Sequence, residues 1–260
     1  VGANGNRSLG TGVVGGMTIG TLALLFIVPT LFIAFQWLQE RLRPVQSVPT
    51  HDWQIEEEIK VSGASRTDAG VHALGNVAVF DTSARMPADK ISYALNTRLP
   101  EDIRIQDSCE VPSDFHPRFQ KTTKTYEYRI LNRRFPDPTR RLNSFFYYYP
   151  LDVVKMQEAS LYLVGEHDFK SFCTEKPEVT NTVRTIYSLN VIKEGDMIII
   201  RVTGNGFLYN MVRIIAGTLI RVGGGFIEPQ QIKKILEAKD RTLAGETARP
   251  EGLTLIGIRY

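Results

Sequence analysis

The sequence predicts an α+β fold built on a mostly antiparallel sheet flanked by helices, and three stretches carry that prediction. "TKTYEYRIL" (Thr123–Leu131) alternates, with Tyr126, Tyr128 and Ile130 on one side and Glu127 and Arg129 on the other. That period of two marks a strand with one buried face. "VRTIYSLNVIKEGDMIIIRVTG" joins two β-branched runs at Glu194–Asp196, which reads as a hairpin. "FLYNMVRIIAGTLIRVGGG" places Leu208, Met211, Val212, Ile215 and Leu219 at helical spacing and then runs into glycines, the pattern of a helix with a C-terminal stop. Helices mixed with hairpins favour α+β over alternating α/β.

The other elements follow in chain order. "NVAVFDT" (Asn76–Thr82) reads as a short strand. "PADKISYALNTRL" (Pro87–Leu99) reads as a helix, with proline at its start and apolar positions at Ile91, Ala94, Leu95 and Leu99. "IRIQDSCEV" suggests a strand, and "NSFFYYYP" is strand-like. "LDVVKMQEASLYLVG" reads as a helix ending near Gly165, a further short helix starts near Pro229, and "LTLIGIRY" closes the chain as a strand.

With 260 residues, 43% of them hydrophobic and 23% charged, the chain can bury a substantial core. A net charge of +3 permits a polyanionic partner without demanding one. Cys109 and Cys173 lie far apart and the four histidines are scattered. The spacing therefore offers neither a disulfide framework nor a protein-bound metal, and fits a reducing compartment. "GNGFLY" lacks the third glycine of a dinucleotide loop. "NRS" at Asn6–Ser8 fits the glycosylation pattern, a match that short motifs often make by chance.

The first fifty residues differ in kind. No charge occurs from Ser8 to Gln39, and "MTIGTLALLFIVPTLFIAFQWL" (Met17–Leu38) is almost wholly apolar. At about 1.5 Å per residue that run spans a hydrocarbon core of about 30 Å. It reads as a transmembrane helix, with Trp37 at an interface and Arg41 and Arg43 placing the C-terminal side in the cytosol. A signal peptide would have a shorter apolar core and a small-residue cleavage site, and a helix apolar all round is hard to bury in a soluble chain of this size. "GTGVVGGM…VPTLF" resembles the last transmembrane helix of resistance-nodulation-division efflux pumps. The expected organisation is a hydrophobic segment over 1–43, a linker over 44–50 and one domain over 51–260, giving a cytoplasmic domain with an inner-membrane tether through residues 17–38.

The chemistry concentrates in "GASRTDAGVHALG" (Gly63–Gly75), where Asp68 follows Arg66 by two residues. Asp-Ala-Gly is ordinary turn chemistry and aspartate also caps helices. An arginine beside a carboxylate favours its charged form, and a sheltered carboxylate serves as base or nucleophile. Arg133, Arg134, Arg140 and Arg141 surround a proline-rich turn, and His116, Arg118 and Lys121 form a smaller basic group. Both fit either a phosphate contact or a solvated loop.

"GASRTDAGVHALGNVAVFDT" resembles the signature loop of the TruA family of tRNA pseudouridine synthases. "FHPRFQKTTKTYEYRI", "GNGFLYNMVRIIAGTLIRVG" and "ARPEGLTL" resemble three further segments of that family in the same order. The likeness runs from about Val61 to Tyr260. It implies a pseudouridine synthase-like fold and isomerisation of uridine in the tRNA anticodon stem-loop by a homodimer, without a cofactor. Asp68 would be the catalytic aspartate and Arg66 the arginine that enters the RNA stack as the uridine flips out. Tyr126 would stack on the target base, Arg213 would pair with the aspartate and Leu253 would line the uracil pocket. His72 would touch RNA phosphate or fill the loop.

The chain departs from the family's pattern in two places. "HDWQ" (His51–Gln54) is similar to the family's "GWQ" element, but only "IEEE" separates it from "IKVSGASRTDAG". A first strand and a full helix do not fit in that gap, so the catalytic loop is expected to be loosely held. Ser65 stands where the family usually has glycine. A catalytically impaired RNA-binding remnant of a gene fusion is therefore an alternative expectation, and a transport component a more distant one.

Overall fold

The computed structural model describes residues 59–174 and 181–260. The apolar run Met17–Leu38, the linker 44–50 and the His51–Gln54 element lie outside the described residues. Among those described, no helix is long and apolar enough to cross a membrane.

The strands are β1 (Ser62–Gly63), β2 (His72–Ala73), β3 (Ala78–Val79), β4 (Thr123–Asn132), β5 (Phe145–Tyr147), β6 (Gly165–Asp168), β7 (Val183–Glu194), β8 (Met197–Gly204) and β9 (Leu253–Arg259). The helices are α1 (Ala88–Asn96), α2 (Val153–Leu161), α3 (Met211–Gly223) and α4 (Gln231–Ala238). The main sheet runs β2-β9-β4-β8-β7-β6. Its pairs are antiparallel except β2 on β9 and β5 on β4. β9 pairs with β4 from Thr123 to Tyr128, and β5 takes over from Ile130 to Asn132. The mostly antiparallel sheet read from the sequence is present.

The alternation in β4 sorts the two faces of the sheet. Tyr128, Ile130, Ile198, Ile200, Val202 and Leu255 are fully buried on one face, where α3 packs. From Met211 to Leu219 every α3 residue except Arg213 is buried. At Gly217 the helix meets another backbone, because a Cβ there would lie 1.9 Å from the Glu246 carbonyl oxygen. The segment passing over this point is tied down at both ends. The Gly245 N–H donates to Thr218 Oγ1 (2.8 Å), and Ala248 N–H donates to the Arg213 carbonyl (3.2 Å). The segment then delivers Arg249, whose carbonyl accepts from the Tyr128 hydroxyl (2.9 Å), to the start of β9.

Two strand expectations are corrected. "IRIQDSCEV" forms no strand; the backbone of Ile105 pairs with the Asn96 side chain of α1, and the Ser108 hydroxyl pairs with the α1 backbone. Asn96 Oδ1 accepts from Ile105 N–H and Asn96 Nδ2 donates to the Ile105 carbonyl (both 2.8 Å). Ser108 Oγ likewise accepts from Ser92 N–H and donates to the Ala88 carbonyl. One asparagine amide thus reproduces the pairing that a neighbouring strand would give. "NVAVFDT" shrinks to the two residues of β3, which among the described residues pair only with β1.

On the opposite face of β4, Glu127 is 3% exposed. Arg201 Nε donates to its Oε1 (2.8 Å), and Arg129 donates to its Oε2 through Nη2 (2.9 Å). Burial alone would raise the carboxyl, but the Arg201 and Arg129 bonds and charges outweigh it and hold it below its ordinary value. A carboxyl lowered in the fold stabilises fully above its unfolded value of about 4.3 and loses that contribution as pH falls through the folded value. Glu127→Gln should therefore lower unfolding free energy by about 2 kcal/mol at pH 7. Chemical denaturation of both proteins across pH should show that gap closing in acid; a gap that is constant with pH would contradict the assignment.

Candidate active site

The Gly63–Gly75 loop is closed at its base. β1 pairs with β3, Ala64 N–H donates to the Val77 carbonyl (2.8 Å), and Asn76 Nδ2 donates to the Ser65 carbonyl (3.0 Å). Arg118 Nε donates to the Gly63 carbonyl (2.7 Å) and Lys124 Nζ to the Ala64 carbonyl (3.1 Å). Farther along, β2 adds to the sheet edge with His72 opposite Thr254 and Ala73 opposite Leu255, and Leu74 N–H donates to the Leu255 carbonyl (2.8 Å). The expectation of a loosely held loop is thus corrected. Main-chain bonds to β9, and side chains from β4 and from the 112–119 segment, fasten it.

Between these anchors the chain turns at Asp68. The Asp68 carbonyl accepts from Val71 N–H (3.0 Å), with Gly70 at φ +82°. That is a turn whose third residue needs the left-handed region, which glycine enters at little cost. A Cβ on Gly70 would also sit 3.2 Å from Pro250 Cγ, so the turn rests on the segment leading into β9. Asp68 is therefore a turn residue in its backbone and something else in its side chain.

Asp68 Oδ2 lies 3.1 Å from Arg213 Nη1, an ion pair across 145 residues of sequence. The Arg213 side chain is 15% exposed and that of Asp68 34%. Arg213 Nη1 also donates to Asn210 Oδ1 (3.0 Å), and Nε donates to the Ala248 carbonyl (2.7 Å). Asn210 stands at φ 60°, immediately before α3. Asparagine tolerates that conformation better than most residues. Its Nδ2 donates to Thr174 Oγ1 (3.1 Å). The guanidinium is thus aimed by three acceptors from three segments.

Tyr126 joins this group. Its ring is 8% exposed and meets Phe207 edge-on, with centroids 5.2 Å apart. Its hydroxyl lies 3.2 Å from Ser65 Oγ. Burial pushes that hydroxyl above its ordinary value, the Ser65 hydrogen bond opposes the rise, and the nearby Asp68 charge adds to it. Lys124, on the same strand, donates to Ser65 Oγ (3.0 Å), and burial followed by the Arg118 charge holds its ammonium below the usual range.

The remaining expected residues fall around this centre. Arg66 is exposed and has no hydrogen-bond or ion-pair partner among the described residues. His72 donates through Nε2 to the Leu142 carbonyl, coupling the Asp68 loop to the basic turn. There Arg134 stacks over the Phe135 ring at 5.1 Å, and Arg133 and Arg140 pair loosely with Asp196 and Asp137. Leu253 is 7% exposed, paired with Tyr128 in the core at the start of β9. His116 stacks on Phe119, and Lys121 lines an open groove of about 520 Å³ with Phe115 and Tyr260 that does not include Asp68. Among the described residues, no three His, Cys, Asp or Glu side chains are grouped as metal ligands. Ser65, Lys124 and Asn210 enter the site without having been singled out as site residues by sequence. Only the serine in place of the usual glycine gave any signal.

A carboxylate paired with a mostly buried arginine, beside an aromatic hydroxyl and near a basic turn, is the arrangement of an enzyme site open to a polyanion. Comparison with known proteins gives the family. A family model described as tRNA pseudouridine synthase matches residues 32–120 and 159–260, beginning upstream of the His51–Gln54 element. The chain is 49% identical over 204 residues to tRNA pseudouridine synthase A of Thermoanaerobacter sp. (strain X514), covering 78% of this chain and 84% of that relative. It is 46% identical over 205 residues to the protein of the same name from Bacillus subtilis (strain 168), covering 79% and 83%. Against that of Halalkalibacterium halodurans it is 48% identical over 195 residues, covering 75% and 74%. The chain belongs to the tRNA pseudouridine synthase family.

Gly70→Ala tests the turn. A side chain in the left-handed region costs about 1 kcal/mol, enough to lower the melting temperature by about 2–4 °C. A shift of Asp68 near 1 Å can cost about a hundredfold in rate. We expect pseudouridine formation to fall at least about tenfold while the protein stays folded, measured by product assay beside a melting curve.

Proposed function

We propose that this chain isomerises uridine to pseudouridine in the anticodon stem-loop of tRNA, with Asp68 as the catalytic carboxylate. The observation that supports this most is the 3.1 Å pair between Asp68 and Arg213. It joins the two motifs that the resemblance expected to meet. The reaction breaks the N1–C1′ bond and forms C5–C1′, moving the ring without a net redox change. It needs a group that can act as nucleophile or base at the sugar or the ring, and a carboxylate can do either.

A stacked, paired uridine cannot reach a carboxylate held in a loop, so the base must leave the stack, at a cost of a few kcal/mol. Arg66, exposed on the same loop, would occupy the space the uridine vacates. Tyr126 would present its ring to the extracted base, a contact worth about 1–3 kcal/mol, with Leu253 forming the apolar floor. His72 would act through its bond to Leu142, setting the basic turn beside the loop rather than touching phosphate itself. A homodimer with tRNA bound across both subunits is the assembly we infer, and a membrane tether through residues 17–38 remains part of the proposal on the apolar run alone.

Asp68→Asn keeps the side chain's shape and removes its charge. Pseudouridine formation on unmodified tRNA should fall at least about a thousandfold, with tRNA affinity changed by no more than about twofold. A folded Asp68→Asn protein that still turns over would remove Asp68 from the chemistry. Folded wild-type protein that binds tRNA and yields no product would make this an RNA-binding remnant.

A further inference from the structure

Ser65 has an unusual set of neighbours. Lys124 Nζ lies 3.0 Å from its Oγ, and the Tyr126 hydroxyl lies 3.2 Å away on the other side. A protonated lysine donates and cannot accept. The Ser65 oxygen therefore receives a hydrogen from Lys124. Ser65 has a hydrogen of its own, and in the arrangement in which it donates to the Tyr126 oxygen that hydrogen is satisfied within the site. With that lone pair occupied, the Tyr126 hydrogen is turned away from Ser65. The Asp68 charge reaches the same hydroxyl, so it sits on the reactive side of the ring.

We propose that Ser65 is a positioning residue, which with Lys124 fixes the hydrogen-bond polarity of Tyr126 so that its hydroxyl, at the edge of the stacked ring, donates toward the bound nucleotide and not back to Ser65. The proposal rests on the function proposed above and refines the part Tyr126 plays in it. Three features support the arrangement. Lys124 and Tyr126 point to the same side of β4's first turn of pleat, two residues apart, so the strand fixes their spacing. The Ser65 backbone is held independently by Asn76 Nδ2 on its carbonyl, which leaves the hydroxyl free for this task. Lys124 has a second acceptor in the Ala64 carbonyl, which locks the ammonium in place. A glycine at position 65 would leave Lys124 with that carbonyl alone and the Tyr126 hydroxyl free to rotate.

The test is steady-state pseudouridine formation on unmodified tRNA by the full chain and four variants. Ser65→Ala removes one oxygen and should lower kcat about five- to tenfold, the value of one hydrogen bond, with KM for tRNA within about twofold. Ser65→Thr keeps the hydroxyl and should restore kcat to within about threefold of wild type. Tyr126→Phe should lose at least as much as Ser65→Ala, and the double variant no more than Tyr126→Phe alone, because Ser65 acts only through that hydroxyl. Should Ser65→Ala fail to fold by its melting curve, Ser65→Gly is read in its place with the same expectation. Wild-type kcat in Ser65→Ala, or a double variant whose loss is the product of the two single losses, overturns the proposal. Those outcomes are distinct from failure of the underlying reading, which would show as absent product in wild type or as turnover in Asp68→Asn.

Discussion

Arg213 is a cation inside a helix whose neighbouring positions are buried. An uncompensated charge in such surroundings is costly by several kcal/mol, so the first turn of α3 demands acceptors. The Ala248 carbonyl and Asn210 Oδ1 supply two, and both are neutral. The remaining demand is for a negative charge, and the Asp68 carboxylate meets it. The position of the Asp68 loop follows from the need to satisfy a helix. The loop and the segment over Gly217 converge on one guanidinium.

That convergence accounts for how a short loop can be exact without containing regular structure. Its base is closed by β1 and β3, its far side is added to β9, and Pro250 packs under its left-handed glycine. Because the Tyr128 hydroxyl holds the Arg249 carbonyl, the same core strand that carries Tyr126 also fixes the segment under the loop. The aromatic and the carboxylate are therefore referenced to β4 by separate routes. A change in one route shifts Asp68 against Tyr126 without disturbing the hydrophobic core, which is why Gly70 carries more weight for rate than for stability.

Much of this was legible in the sequence because single periodicities governed it. The alternation in Thr123–Leu131 gives both faces of β4, and the apolar spacing after Phe207 gives α3. What escaped was decided by individual polar side chains. Asn96 took over the pairing of Ile105, and no period in "IRIQDSCEV" records that. β2 is two residues long and exists because β9 is there to receive it, a contact between positions far apart in sequence. At the site, motif likeness brought Asp68, Arg213 and Tyr126 forward. Lys124 was one residue of a strand motif and Asn210 one residue of a helical stretch, neither marked out by its position. Their roles depend on a 3 Å neighbour that comes from another segment.

The two arginine-bound carboxylates, Glu127 in β4 and Asp68 in its turn, show what separates a structural acid from the one proposed to be catalytic. Glu127 is almost wholly buried and both of its oxygens are occupied, Oε1 by Arg201 and Oε2 by Arg129. It has no lone pair to offer a substrate and no route for one to approach. Asp68 is bound through Oδ2 alone, its Oδ1 has no hydrogen-bond partner among the described residues, and a third of its side chain is open. Arg213 reaches Oδ2 through Nη1, which also donates to Asn210 Oδ1, while its Nε donates to the Ala248 carbonyl. One arginine, committed elsewhere on two sides, thus anchors the carboxylate and leaves it half engaged. This division of the guanidinium's donors, more than the presence of an ion pair, is the feature that favours chemistry at Asp68.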